Sequence, residues 1–249
     1  MTPVEIKALI SELSIIKDLK IIDSQADRKK FSRDFYTYSP VLEPQLAKCL
    51  ADLVVRPFSV EAVIAVTAIC EKHLVPLTLR ASGTGNYGQC VPLKGGGVML
   101  MGDLKKIRNV DSSTGIVTVE SGCLLRDLNR ELATYQRQLR LLPSTWRSAS
   151  IGGFVAGGSG GIGSVRWGFL RDPGHLLGLE IITVEKSPRK LQLDANDSEA
   201  LNHAYGTNGI VTALTLSTAP LVSWQEVVID FEDWIEALNF LKIISISAI

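Results

Sequence analysis

Apolar residues recur at helical spacing from the start of the chain: Val4, Ile6, Leu9, Ile10, Leu13 and Ile16 share one broad face and predict a packing helix over 2–18. A buried strand follows at 51–55. From Ser59 to about His73 the spacing is helical again, with Ser59 as N-cap and Glu61 in the first turn, where the helix dipole favours a carboxylate. Short apolar runs predict strands at 77–80, 98–101 and 116–120, followed by a helix over 124–135. Strands at 177–184 and 213–216 flank a short helix at 198–205. The β-branched run Val227-Val228-Ile229 reads as one more strand, and Asp233 opens an amphipathic helix carrying Ile235, Leu238, Leu241 and Ile244. Helices and strands mix throughout, so the predicted fold class is α+β.

Composition narrows the function without selecting it. The chain has 249 residues, 46% hydrophobic and 21% charged, which is ample material for a core. Lys plus Arg equals Asp plus Glu at 26 each, so neither nucleic acid nor an anionic membrane is expected as the main partner. Glu5, Lys7 and Glu12 interrupt any secretory leader, and a cytoplasmic setting is the default. Cys49, Cys70, Cys90 and Cys123 lack metal-ligand spacing and are expected to be reduced, with Cys70 in the core and Cys90 beside a Gly-rich loop without a catalytic role. His73, His175 and His203 have no second ligand at metal spacing, so no metal is expected. His175 follows the turn Asp172-Pro173-Gly174 and reads as a turn residue rather than a base. No catalytic residue can be assigned.

The informative segment lies between Leu77 and Gly97, where a strand stops at Arg80 and opens into Ala-Ser-Gly-Thr-Gly-Asn-Tyr-Gly-Gln. Glycines and small hydroxyl residues after a strand let successive backbone N–H groups converge on one point, which suits a phosphate. The spacing Gly83-x-Gly85-x-x-Gly88 imitates a dinucleotide fingerprint, but that motif needs a helix next. Pro92 and Gly95-Gly96-Gly97 refuse one, so 88–97 is predicted to be loop. A surface loop without a ligand remains the alternative.

A second block, 143–168, interleaves Gly with Ile, Phe, Val and Trp. It is too apolar for a flexible linker and too rich in Gly, with Arg147 and Arg166, for a membrane span. It predicts backbone packed against a flat ligand such as a flavin.

Four blocks in order, Val55-Arg56-Pro57 with its following helix, the loop 80–89, the block 143–168 and Tyr205-Gly-Thr-Asn-Gly-Ile-Val-Thr212, cover roughly residues 30 to 220. Together they resemble the FAD-binding domain of the vanillyl-alcohol oxidase and p-cresol methylhydroxylase (PCMH) type, and within it FAD-linked oxidases similar to glycolate oxidase subunits and D-lactate dehydrogenases. The resemblance implies a PCMH-type fold of two mixed α/β subdomains. It implies that Ser82, Gly83, Thr84, Gly85 and Asn86 wrap the FAD pyrophosphate, and that Pro143, Thr145, Ser150, Gly152 and Gly153 approach from the other side. Ser159, Gly160 and the Arg166-Trp167-Gly168 step would pass toward the isoalloxazine end, with Gly209, Ile210 and Val211 along the cofactor. Two positions depart from the pattern. Thr84 stands where covalent members carry a His, so FAD is expected to be non-covalent, and Tyr205 replaces an acidic residue, which puts contacts near Gly206 in doubt.

The implied organisation is a lead-in over 1–45, the FAD-binding domain over 46–220, and over 221–249 the start of a substrate or cap domain cut short. The implied function is that of a flavin-dependent oxidoreductase whose complete form oxidises a 2-hydroxy acid or similar alcohol by hydride transfer to FAD. Its partners would be a small-molecule substrate and an electron acceptor. The alternative is a non-catalytic flavin- or nucleotide-binding subunit of a multi-chain complex.

Overall fold

The computed structural model describes residues 3–247. Helix α1 spans Pro3–Leu13 and ends before the predicted 18, because the chain must reverse through Asp18, at φ 59°, to lay β1 (Leu19–Ile22) antiparallel to the next strand. Helix α2 (Gln25–Phe31) is capped by the Ser24 hydroxyl, a 3₁₀ turn at Phe35–Tyr38 is capped by the Asp34 carboxylate, and α3 covers Leu42–Leu46. Strand β2 (Leu53–Pro57) leads into α4 (Val60–Lys72), whose N-cap is Ser59 as expected, its hydroxyl accepting from Ala62 N–H at 3.2 Å. Strands β3 (Leu77–Arg80) and β4 (Gly97–Leu100) complete a four-stranded sheet of order β1-β2-β4-β3, with β2, β4 and β3 parallel.

This sheet is covered on both faces, which is why its inner strands read as unbroken apolar runs. Leu53, Val55 and Met99 join Leu9, Leu13, Val63 and Val66 on one side, while Val54, Val98 and Leu100 face Ala51, Ile22 and Phe31 on the other.

A six-stranded antiparallel sheet follows. Its strands are β5 (Ile107–Asp111), β6 (Ile116–Glu120), β7 (Arg137–Leu139), β8 (Leu176–Ile182), β9 (Lys190–Asp194) and β10 (Ile210–Pro220). The order is β5-β6-β10-β8-β9, with β7 pairing to the far end of β10. Helices α5 (Leu125–Thr134) and α6 (Ile151–Gly157) bury Leu125, Leu128, Leu132, Ile151 and Phe154 against Val117, Val119, Leu179 and Leu214. The opposite face is polar: Arg108 holds Glu180 through two hydrogen bonds of 3.1 Å and Glu120 at 3.3 Å, and Thr212 donates to Glu180 at 2.8 Å. Short helices α7 (Ser164–Trp167) and α8 (Ala195–Ser198) precede β8 and follow β9. The two sheets are joined by one core, since Ile182 and Ile210 pack into the apolar cluster of the first sheet.

Several expectations need correction. The predicted helix at 198–205 is α8 followed by turns, because His203 and Tyr205 take positive φ so that their N–H groups reach the Val155 and Ala156 carbonyls. Strand β10 has eleven residues rather than the predicted four, since three strands pair along it. Val227-Val228-Ile229 forms no strand: with no neighbour to pair with, 221–231 runs without regular structure and exposed. Helix α9 (Trp234–Ser247) forms close to where it is predicted, but none of its residues is buried.

Candidate functional site

The two Gly-rich blocks meet across a cavity of about 600 Å³, within the range of small-molecule and cofactor sites. Ser82, Gly83, Thr84, Gly85 and Asn86 line it from the first block. Pro143, Thr145, Ser150, Gly152, Gly153, Ser159 and Gly160 line it from the second. Gly209 and Ile210 do not: Ile210 is 2% exposed in the shared core, and the same segment reaches the cavity through Gly206 and Val211. Tyr205, which departs from the family pattern, is also in the wall. The Arg166-Trp167-Gly168 step lies outside the lining; the guanidinium groups of Arg140 and Arg166 lie over the Trp167 ring at 4.7 and 5.4 Å from its centre.

The first loop is held from outside. The Arg80 guanidinium donates to the Arg33 carbonyl and reaches the Cys90 sulfur at 3.0 Å, the Gly85 carbonyl accepts from Phe35 N–H at 2.9 Å, and Gln89 Oε1 accepts from Tyr87 N–H at 3.0 Å. Gly83 sits at φ +67°, and a Cβ there would meet the Arg80 guanidinium at 2.1 Å. Among the described residues, none of the N–H groups of Ser82, Gly83, Thr84, Gly85 and Asn86 donates to a protein acceptor. A run of unpaired donors after a strand is what a diphosphate requires.

The second block supplies a close-fitting wall. Ser150 caps α6, its hydroxyl accepting from Gly153 N–H at 3.2 Å, and Gly152 N–H donates to the Ser121 carbonyl at 2.8 Å. A Cβ at Gly152 would stand 2.6 Å from Ser121 Cβ, and one at Gly153 3.2 Å from Ala81 Cβ, so side chains here would force the walls apart. Ser121, the residue after β6, is among the lining residues, while its hydroxyl is buried from the cavity and has no hydrogen-bond partner among the described residues. Loop N–H groups without protein acceptors on one side and a glycine wall on the other fit a nucleotide cofactor.

Asp34, Leu79, Met101, Ser121, Phe154 and Gly157 also line the cavity, and sequence reasoning did not pick them as site residues. Ser121-Gly122 at a strand end carried a signal of the same type as the first loop. Asp34 carried none, since its place depends on how the lead-in packs. Cys90 lines the cavity as a neutral thiol, pushed up to about 11 by burial, with Asp34 adding to that and Arg80 opposing it. His175 lies outside the lining; it is buried, and Nε2 meets the Trp167 carbonyl at 2.7 Å. No cluster of three metal-ligating side chains occurs among the described residues.

A family model described as an FAD binding domain matches residues 51–186. The chain belongs to that family. Glycolate oxidase subunit GlcD of Bacillus subtilis (strain 168) is 27% identical to this FAD-binding chain over 204 residues, 80% of this chain and 41% of the relative. D-lactate dehydrogenase of Anaerostipes hadrus is 29% identical over 180 residues, 70% of this chain and 37% of the relative. The chain therefore spans about two-fifths of the length of these curated relatives. A solved structure of alkyldihydroxyacetonephosphate synthase in space group P212121 superposes with a TM-score of 0.74 at 20% identity, covering all of this chain and 46% of that one. The fold is thus the α+β fold of PCMH-type FAD-binding domains. No helix among the described residues is long and apolar enough to cross a membrane.

Proposed function

We propose that this chain is the FAD-binding part of a flavin-dependent oxidoreductase that oxidises a 2-hydroxy acid or a similar alcohol. The observation that carries the reading is that the loop 82–86, whose N–H groups have no protein acceptor among the described residues, and a glycine wall line one cavity, in a chain whose relatives are named for glycolate and D-lactate. Ser82, Gly83, Thr84, Gly85 and Asn86 would hold the pyrophosphate. Ser150, Gly152 and Gly153, with Pro143 and Thr145 beside them, would form the facing wall, and Ser159 and Gly160 would continue it toward the ring. Bound FAD supplies a hydride acceptor; the chain's residues fix its position and keep water from its buried portions.

FAD is held without a covalent bond in this reading, since Thr84 offers only an alcohol to the cofactor. Substrate and electron acceptor meet the flavin with the help of further residues, and the segment 221–249 with its exposed helix α9 belongs to a cap domain. One relative is named as a subunit, which favours a protein partner as well. A cytoplasmic setting accords with four free thiols.

Fluorescence titration of flavin-free protein tests the assignment. FAD should bind well and FMN poorly, because the two blocks imply a diphosphate with an adenosine half beyond it. Equal affinities would remove the pyrophosphate role from the loop, and a flavin that stays attached after acid denaturation, seen as added mass, would overturn the non-covalent link.

A further inference from the structure

The turn between α8 and β10 carries two aromatic side chains on a backbone that few residues adopt: His203 stands at φ 61° and Tyr205 at φ 52°. Hydrogen bonds to α6 hold this shape. His203 N–H donates to the Val155 carbonyl at 3.0 Å and Tyr205 N–H to the Ala156 carbonyl at 2.9 Å. The His203 ring lies on Gly158, the residue that ends α6, where a Cβ would stand 2.2 Å from His203 Cγ. From there its Nε2 meets the Tyr205 hydroxyl at 3.0 Å, and the two rings sit edge to face with centroids 5.2 Å apart. The Tyr205 side chain is thereby fixed at both ends, its root against Ala156 and its hydroxyl beside the ring that lies on Gly158, so it runs along the stretch 156–159. Ala156, Gly157 and Ser159 of that stretch line the cavity, as does Tyr205 itself, which is 44% exposed. A strained backbone persists where its surroundings over-determine it, and what it presents here is an accessible aromatic ring held on a wall of a cofactor-sized cavity.

The geometry points to Tyr205 as an aromatic contact to bound FAD, its ring stacked on one of the cofactor's two flat heterocycles, with His203 as the residue that positions it. The inference rests on the cavity being the FAD site. It gives a role to a residue that the sequence pattern leaves without one, since Tyr205 departs from that pattern. With the hydroxyl engaged by His203, the ring face is the part left to a ligand, and a tyrosine ring offers a large flat contact at little cost in side-chain entropy.

The test compares Tyr205→Leu and Tyr205→Gly with the parent chain by titrating FAD into flavin-free protein and by melting the flavin-free forms. Both variants remove the ring, and both should bind FAD about tenfold more weakly. Tyr205→Gly also relieves the positive φ, so it should melt no lower than the parent while losing affinity, a pairing that a merely structural role does not give. Tyr205→Phe keeps the ring and should bind within about threefold of the parent. His203→Ala should weaken binding in the parent and have no effect in Tyr205→Leu, where no ring remains to be positioned; an equal effect in both overturns the positioning role. Titration with ADP, which lacks the isoalloxazine, locates the contact: weaker ADP binding in Tyr205→Leu puts the ring on adenine, and unchanged ADP binding beside weakened FAD binding puts it on the isoalloxazine. Parental FAD affinity in a folded Tyr205→Leu or Tyr205→Gly protein overturns the contact while leaving the site assignment standing. Failure of the parent chain itself to bind FAD removes the site assignment and the contact together.

Discussion

Replacing Gly152 with Ala separates local propensity from packing, because the two predict opposite signs. Gly152 lies inside α6 without a positive φ, so an exposed-helix argument gives the alanine a gain of about 1 kcal/mol. The new methyl, however, would stand 2.6 Å from Ser121 Cβ and 2.7 Å from the Ser121 carbonyl oxygen. Backbone cannot yield as a flexible side chain does, so α6 must move away from β6, at about 1–3 kcal/mol for overpacking. The Gly152 N–H to Ser121 carbonyl bond of 2.8 Å is stretched in the process, costing about 1 kcal/mol more. The net expectation is destabilisation by about 1–3 kcal/mol, or roughly 2–4 °C in melting temperature per kcal/mol for a chain of this size. FAD affinity should fall as well, because the same shift reshapes the cavity. Gly157→Ala is the control: its Cβ would meet only Ser159 Oγ at 3.8 Å, so it should leave stability level or raise it by about 0.5 kcal/mol. Differential scanning fluorimetry and urea denaturation read both variants. A Gly152→Ala protein as stable as the parent would show that the contact between α6 and β6 is slack and that the argument from glycine spacing fails.

Gly83→Val forces a β-branched residue to φ +67° and into the Arg80 guanidinium, a strain of about 1–3 kcal/mol, and FAD affinity should drop further than thermal stability; an unchanged affinity would make the loop an ordinary turn. Arg108→Met leaves Glu120 and Glu180 without their counter-charge and should cost about 2–4 kcal/mol, the guanidinium being partly exposed. Burial raises the Glu180 carboxyl, but hydrogen bonds from Arg108 and Thr212 and the nearby Arg108 and Lys190 charges together outweigh it and hold it below its ordinary value. A depressed carboxyl contributes its stability above the unfolded value of about 4.3 and loses it as pH falls through the folded value; Arg108→Met removes the depression and with it that loss, so the stability gap between parent and variant should narrow as pH falls, and a gap that stays constant in urea denaturation against pH would contradict this. Burial pushes Cys70, Cys90 and Cys123 up to about 11, so a disulfide reagent at neutral pH should modify Cys49 alone in folded protein and all four thiols after unfolding; rapid labelling of Cys90 would refute the neutral thiol.

Where local physics decides, the sequence was legible. Ser59 caps α4, and the strands β3 and β6 fall at 77–80 and 116–120 as their apolar runs predict. The loop 82–86 and half of the second block line one cavity because glycine after a strand marks backbone that must turn or be approached closely. What escaped depends on contacts distant in sequence. Strand β1 lies just past the helix predicted over 2–18 and has no sequence signal of its own, since only its pairing with β2 makes Leu19–Ile22 extended. Helix α6 was hidden because Gly152, Gly153 and Gly157 within it argue against helix, and the Ser150 cap and the Ser121 carbonyl supply the bonds that offset this. Asp34 reaches the cavity through tertiary packing alone, and Gly209 and Ile210, chosen by resemblance, fall one step short of its lining because Ile210 is claimed by the core.

That claim on Ile210, together with Ile182, has a mechanical consequence. Because strand ends of the second sheet are embedded among Val63, Val66 and Met99 of the first, the halves that flank the cavity cannot swing apart without exposing buried side chains to water. The cleft is braced along one edge rather than hinged. Its width is settled when the chain folds, so a nucleotide would dock into a gap already set to its thickness, and the two sheets should melt together in a single transition instead of one after the other.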